Sequence, residues 1–180
     1  MKKYKVWLQL FFTLGLITCV FFTIYGVTQQ AYRQSANDPQ VQLAEDMKIQ
    51  LESGRTATSL VSGTKIDATK SLSPFTIVYS KDKTVIASSA TFGGKDLLPP
   101  AGTFDSASDN GRNTFTWEPK DGVRLATVMV PYKDGYALSA RSLSEVEARI
   151  ERLGLMVFVA WIGTSAFACV SFLVYNRYIK

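Results

Sequence analysis

Residues 115–143 read FTWEPKDGVRLATVMVPYKDGYALSARSL and predict three consecutive β-strands joined by two tight turns. Asp121-Gly122 and Asp134-Gly135 interrupt the apolar text, and Asp-Gly is a preferred pair for a two-residue hairpin turn. The strands are predicted at 113–118, 123–132 and 136–141. This stretch therefore forms one end of an antiparallel sheet.

The text upstream predicts two more strands. Phe75, Ile77 and Tyr79 alternate with other side chains, the turn-forming text KDK follows, and residues 84–90 return as a second strand. Residues 93–111 contain Gly-Gly and Pro-Pro pairs and are predicted to be a long loop with one helical turn. The predicted fold class is α+β with a five-stranded antiparallel sheet and flanking helices.

Helices are predicted on both sides of this sheet. Asp38-Pro39 is a good N-cap and first-turn pair, and apolar residues recur at helical spacing up to a stop at Gly54, which predicts an amphipathic helix at 39–53. Residues 55–73 are rich in Ser, Thr and Gly and are predicted to be irregular. After the last strand, Ser142 is the predicted cap of a helix with the sequence LSEVEARIER, which leads directly into an apolar run.

Two apolar runs flank these elements. Residues 6–27, VWLQLFFTLGLITCVFFTIYGV, and residues 153–175, LGLMVFVAWIGTSAFACVSFLVY, contain no charged residue. At about 1.5 Å per helical residue each run reaches roughly 33 Å, which is enough for a hydrocarbon core of about 30 Å. Both runs are therefore predicted to be transmembrane helices, with residues 28–152 as the domain between them.

Two processing signals compete with this interpretation of the first run. The basic start also suits a secretory signal peptide, but that signal has a shorter apolar region and a cleavage site with small residues. The text LITC, ending at Cys19, suggests a lipoprotein signal. Thr is a poor fit before the acceptor cysteine, however, and the apolar run continues to Val27. An uncleaved helix is the favoured interpretation.

The net charge predicts the topology. The formal charge of +5 equals the charge of five cations that flank the two runs: Lys2, Lys3, Lys5, Arg177 and Lys180. Lys and Arg beside membrane spans accumulate on the cytoplasmic side. The tails 1–5 and 176–180 are therefore predicted to be cytoplasmic and too short to hold an output module, and 28–152 to be extracytoplasmic at the plasma (inner) membrane. These charges account for the basic character, so no nucleic-acid partner is expected.

Cysteine and histidine usage narrows the chemistry of the outer domain. Cys19 and Cys169 both lie in the apolar runs, so residues 28–152 have no disulfide. The chain has no His, which removes the commonest general base and the commonest zinc ligand. The domain is expected to fold by packing alone, without a metal or a cofactor.

This order of elements resembles the extracytoplasmic PAS-like or single-Cache sensor domains of bacterial two-span receptors. The text PFTIVYSKDKTVIASS, residues 74–89, resembles their central hairpin, and residues 115–143 resemble their last three strands running into the exit helix. The resemblance implies a sheet with helices and a loop over one face, where a cavity binds a small molecule. Side chains expected to line or rim that cavity are Tyr79, Trp117, Arg124, Tyr136 and Arg141. An arginine among them suits a carboxylate ligand.

An enzyme is the least favoured interpretation. Ser62 to Lys65, Ser108 to Asn110 and Lys133 to Gly135 imitate in order three short motifs of penicillin-binding proteins and β-lactamases. Those enzymes place the serine at a helix start in a far larger fold, whereas these motifs lie in flexible or turn-forming text. The protein is therefore predicted not to be an enzyme.

Small side chains recur every fourth position in both apolar runs and are predicted to support helix packing within the chain or between chains: Gly15, Cys19 and Thr23 in the first, Ala160, Thr164 and Ala168 in the second.

These observations predict a membrane-anchored extracytoplasmic sensor or ligand-binding protein that signals through a separate signalling or transport protein. The alternative is a non-sensing accessory subunit that binds a protein partner in the cell envelope. A small-molecule ligand and a homodimer are the other expected partners. A cavity with a converging arginine would favour the sensor, and a filled sheet face with exposed apolar residues would favour the accessory subunit.

Overall fold

The computed structural model describes residues 2–61 and 63–178. Its elements, in chain order, are α1 Lys2–Glu52, α2 Ala57–Leu60, β1 Ile66–Asp67, β2 Phe75–Ser80, β3 Val85–Ser88, β4 Ala90–Thr91, α3 Ala101–Asn110, β5 Asn113–Lys120, β6 Val123–Tyr132, β7 Gly135–Ser142 and α4 Ser144–Tyr178. The chain divides into two units, residues 33–147 and residues 1–32 with 148–180.

Residues 33–147 are built on a five-stranded sheet in the order β3-β2-β7-β6-β5, in which every neighbouring pair is antiparallel. The predicted α+β fold class and antiparallel sheet are confirmed. The strands of this sheet that come first and last along the chain, β2 and β7, lie side by side, with Tyr79 opposite Tyr136 and Ser80 opposite Gly135. A Cβ atom on Gly135 would lie 2.0 Å from the carbonyl oxygen of Tyr79, so only glycine allows the two strands to approach this closely.

The sheet buries both of its faces. The aromatic face is the side that contacts α3 and the segment before it, and its buried residues include Phe75, Ile77, Tyr79, Trp117, Leu125, Met129 and Leu138. The helix face is the side that contacts α1 and α2, and its buried residues include Val78, Val128, Val130 and Ala137. Alternate residues of one strand point to opposite faces, and this decides which side chains can meet.

The helix predicted at 39–53 does not begin at Asp38-Pro39. α1 runs without a break from Lys2 to Glu52 and contains Pro39 in its interior. Proline costs the helix one hydrogen bond, the one that an N–H would donate to the carbonyl of Ser35. Buried residues on both sides of it hold the helix against the sheet: Ala36, Gln40, Ala44 and Met47. The predicted stop is confirmed, because Gly54 has a φ of +92° just after the last helical residue.

Two stretches predicted to be mostly loop contain short regular elements. The predicted loop 93–111 holds α3, a ten-residue helix that begins after Pro100 and ends at Gly111, whose φ is +72°. The helix forms here because Phe104 and Ala107, three positions apart, are both buried against the aromatic face. The predicted irregular region 55–73 holds α2 and β1, and β1 pairs in parallel with β4.

The second unit contains a helix pair. α1 from Trp7 onward and α4 are long and apolar enough to cross a membrane by length and composition, each with a mean hydropathy of 2.1 in its most apolar part. The direct passage from the exit helix into the second apolar run is confirmed, because both belong to α4. The helices pack antiparallel, since the Trp7 ring lies 6.0 Å from the Phe172 ring and Trp161 Nε1 donates to Thr18 Oγ1 at 3.0 Å.

Candidate functional site

A chain of three aromatic rings fills the aromatic face. Phe104 of α3 is fully buried and lies edge-on to two tyrosines of neighbouring strands. Its ring centroid is 5.2 Å from that of Tyr79 and 5.1 Å from that of Tyr136. Edge-to-face contacts at this distance stabilise an aromatic core beyond the area that they bury. Phe104 was missed by sequence reasoning because it lies in text with the composition of a loop.

Both tyrosine hydroxyl groups are hydrogen-bonded. Tyr79 is fully buried and donates its hydroxyl proton to the carbonyl oxygen of Leu97 at 2.7 Å. Burial, assisted by the charge of Asp96, raises the pKa of Tyr79 well above its ordinary value of 10.0. The hydroxyl of Tyr136 pairs with Ser108 Oγ at 2.9 Å. The polar ends of both rings are therefore satisfied by α3 and the segment that precedes it.

The structure brings three of the five predicted ligand-site residues together. Tyr79, Trp117 and Tyr136 belong to one core cluster on the aromatic face, with Trp117 8% exposed. Arg124 and Arg141 point to the helix face, because each stands next in sequence to a residue of the aromatic face. The five side chains do not line one site. Contact of any of them with a ligand stays a prediction.

Each of the two arginines forms an ion pair with the first turns of α4. Arg124 Nη1 lies 2.5 Å from Glu147 Oε1, and Arg141 Nη2 lies 3.3 Å from Glu145 Oε2. The backbone N–H of Leu143 also donates to the carbonyl of Arg124 at 2.9 Å. These contacts fasten the start of α4 to β6 and β7, which is a structural use of the side chains that were predicted to hold a carboxylate ligand.

A groove lies on the helix face between α1, α2 and the start of β2. It has a volume of about 340 Å³ and combines an apolar floor with charged and amide groups at its rim; its lining residues are Leu43, Asp46, Met47, Gln50, Arg55, Ser59, Leu60 and Thr76. Arg55 Nη1 donates to Gln50 Oε1 at 2.5 Å. The groove is not evident from the sequence, because α2 lies in text predicted to be irregular.

The predicted packing residues of the apolar runs lie mostly outside the contact between the two helices. Gly15, Cys19 and Thr23 are exposed on α1, Ala160 and Thr164 are exposed on α4, and Ala168 is half-buried. The helices meet instead through larger side chains such as Trp161, whose Nε1 donates to Thr18 Oγ1. Packing through these small residues within the chain is thus not what the structure shows, and packing between chains stays a prediction.

A second cavity of about 450 Å³ lies between the helices of this unit. Aromatic side chains form most of its wall: Phe21, Phe22, Tyr25, Gly154, Val157, Phe158 and Trp161 line it. A Cβ atom on Gly154 would lie 3.4 Å from the Tyr25 ring, which is an ordinary van der Waals contact.

Two of the residues that imitate β-lactamase motifs make other contacts in the structure. Ser62 lies outside the described residues, Lys65 forms an ion pair with Asp96 at 3.8 Å, and Ser108 bonds Tyr136. Within residues 2–61 and 63–178, no group of three Cys, Asp or Glu side chains is placed to hold a metal ion.

No family model, no curated protein and no solved structure matches this chain.

Proposed function

We propose that the protein is anchored in the plasma membrane by α1 and α4, with residues 28–152 as an extracytoplasmic domain. The length and hydropathy of the two helices and the cations that flank them support this arrangement. A reporter that is active only outside the cytoplasm should give no signal when fused at Lys180, and a strong signal when inserted at the turn Asp121-Gly122. A strong signal at Lys180 would contradict the proposal.

We further propose that the outer domain is PAS-like and works by binding another protein of the cell envelope. The observation that carries this function is Phe104, which fills the aromatic face between Tyr79 and Tyr136. A small-molecule site of the expected kind would occupy that space. Large apolar side chains outside the core offer contact surface to a partner instead: Leu43, Ile49, Leu72, Ile86 and Leu98 are 38 to 62% exposed.

Photo-crosslinking in native membranes tests this function. A photoreactive phenylalanine analogue at Ile49 or Ile86 should give one discrete adduct, whose partner is identified by mass spectrometry and confirmed by the reciprocal crosslink. The same analogue at Lys81, in the polar β2–β3 turn, is the matched control and should give none. The absence of an adduct at both apolar positions, in cells that make the protein naturally, would reject the proposal.

A sensor of a small molecule is the second candidate, and the groove on the helix face favours it. Asp46 and Arg55 at its rim carry opposite charges, which suits a zwitterionic ligand such as an amino acid. Such a ligand should raise the melting temperature of the full chain and of an Arg33→Gln control, but not of Arg55→Gln. No shift for a panel of amino acids would count against the sensor.

If the protein is a sensor, α4 should couple the outer domain to the partner protein. α4 begins at Ser144, directly after β7, and continues through its apolar run. A short Gly-Ser insertion between Arg152 and Leu153 should abolish the response of the partner while ligand affinity is retained. A response that survives the insertion unchanged would favour the accessory subunit.

A further inference from the structure

A glutamine is fully buried between α1 and the sheet. Gln40 is 0% exposed, and its Oε1 accepts a hydrogen bond from Ser139 Oγ at 2.7 Å. Its Nε2 is also buried and has no hydrogen-bond partner. Ser139 can pair with only one end of the amide, so the other end needs a partner of its own in either orientation of the group. A buried donor without a partner destabilises the fold.

A second unpaired donor belongs to Arg141, which lies two residues after Ser139 in β7. Arg141 Nε is buried without a partner, although Nη2 of the same guanidinium reaches Glu145. Residues two apart in a strand project from the same face, so Arg141 and Ser139 are neighbours on the helix face, about 7 Å apart. Gln40 Nε2 and Arg141 Nε are therefore two unpaired donors on the same face of β7.

The course of α1 places a small residue on the side of Arg141. Gln40 contacts Ser139, and the next turns, with Ala44 and Met47, pack in the cluster of Ala137. α1 therefore runs antiparallel to β7, and the preceding turn, with the 4%-exposed Ala36, lies toward Arg141. Alanine is the smallest side chain of this helix stripe.

The chemistry of the site selects an acceptor. In the described part of residues 33–147, the buried side-chain atoms without a partner are both N–H donors, and one belongs to a cation. A water molecule would add two hydrogens that themselves need acceptors, whereas an anion only accepts. We propose that a chloride-sized monovalent anion binds between α1 and β7 and accepts hydrogen bonds from Gln40 Nε2 and Arg141 Nε.

The anion links α1 to the last strand of the sheet. It binds the folded domain and not the unfolded chain, so the stability of the domain rises with anion concentration. This inference is independent of the proposed partner and of the ligand of the groove.

Anion exchange in the full chain, purified in detergent, tests the site. Replacing gluconate, which is too large for the site, by chloride at constant ionic strength should raise the melting temperature of the wild type by about 4 °C. Arg124→Gln, which removes an exposed guanidinium from the same face, should show the same rise, and Gln40→Met should show none. Absence of the rise in the wild type, or an equal rise in all three proteins, would overturn the proposal.

Bromide diffraction gives an answer even if Gln40→Met fails to fold. Crystals of the wild-type chain grown in bromide should show an anomalous peak within hydrogen-bonding distance of both nitrogens. A water in that position, or a direct hydrogen bond from Arg141 Nε to the amide oxygen of Gln40, would overturn the anion site.

Discussion

The two faces of the sheet are both buried but are filled by different chemistry. On the aromatic face, large side chains interlock, and the polar tips of the tyrosines bond to Leu97 and Ser108. On the helix face, Ala44 and Ala137 allow α1 to approach, and a buried polar pair shares the face with two ion-paired arginines. The aromatic face is a closely packed core whose tyrosine hydroxyl groups are hydrogen-bonded. The other holds the groove, the unpaired donors and the fastening of α4.

This difference changes where function is expected. The resemblance to PAS-like sensors directs attention to the aromatic face, whose tyrosines and tryptophan are occupied with packing. Stability should therefore depend most on the aromatic face, and substitutions on the helix face should have smaller effects on unfolding.

The largest expected effect is the loss of the ring that joins the two tyrosines. Phe104→Ala should lower the free energy of unfolding by about 4 kcal/mol, because a fully buried aromatic side chain leaves a cavity. Met47→Ala on the helix face should cost about 2 kcal/mol, since the flexible side chain is 7% exposed. Chemical denaturation of the detergent-solubilised chain measures both. A greater loss for Met47→Ala would reverse the comparison.

A smaller loss of stability is expected when the close contact between β2 and β7 is disturbed. Gly135→Ala places a methyl group 2.0 Å from the Tyr79 carbonyl oxygen, so β2 and β7 must move apart, at a cost of about 3 kcal/mol. Gly102→Ala is the matched control, because a Cβ atom there meets no other atom within 4 Å and alanine favours the helix α3. Thermal unfolding followed by intrinsic fluorescence should separate the two variants. Equal melting temperatures would contradict the close approach.

The buried hydroxyl of Tyr79 should give the aromatic face a dependence on alkaline pH. Its pKa is raised by burial, so it ionises more readily in the unfolded chain, and stability that is complete below about pH 10 falls as the pH rises further. Tyr79→Phe should cost about 1 kcal/mol at pH 7, because the Leu97 carbonyl loses its donor, and should flatten the decline above pH 10. Urea unfolding at pH 8, 10 and 11 measures both effects, and an unchanged slope would argue against burial of the hydroxyl.

The smallest effect is expected for an ion pair of the helix face. Arg124 and Glu147 have side chains that are 45% and 38% exposed, so solvent screens their attraction. Arg124→Gln should lower stability by less than about 1 kcal/mol, and the loss should shrink further in high salt. A loss as large as that of Phe104→Ala would mean that the fastening of α4, rather than the aromatic core, holds the domain together.

Strand prediction succeeded where the deciding signal is local. β2 and β6 have the predicted bounds, and the Asp-Gly turns lie between the predicted strands, because alternation and turn chemistry act over a few residues. Only one helical turn was predicted where α3 has ten residues, because burial of Phe104 under the sheet, and not the Gly- and Ser-rich text, makes that segment helical. The helix start at Pro39 was wrong for the same reason, since contacts on both sides of the proline outweigh its local preference.

The amino-acid sequence alone determined the two apolar helices, the α+β class and the strands of the antiparallel sheet, since each follows from periodicity within a short stretch. Only the tertiary structure decided which predicted site residues meet. Tyr79 and Tyr136 face each other because β2 pairs with β7. Arg124 and Arg141 point to the opposite face of the sheet because each is adjacent in its strand to a residue of the aromatic face. Gln40 accepts a hydrogen bond from Ser139, which lies 99 residues away in the sequence. Such contacts depend on strand order and on helix placement, which no local pattern encodes.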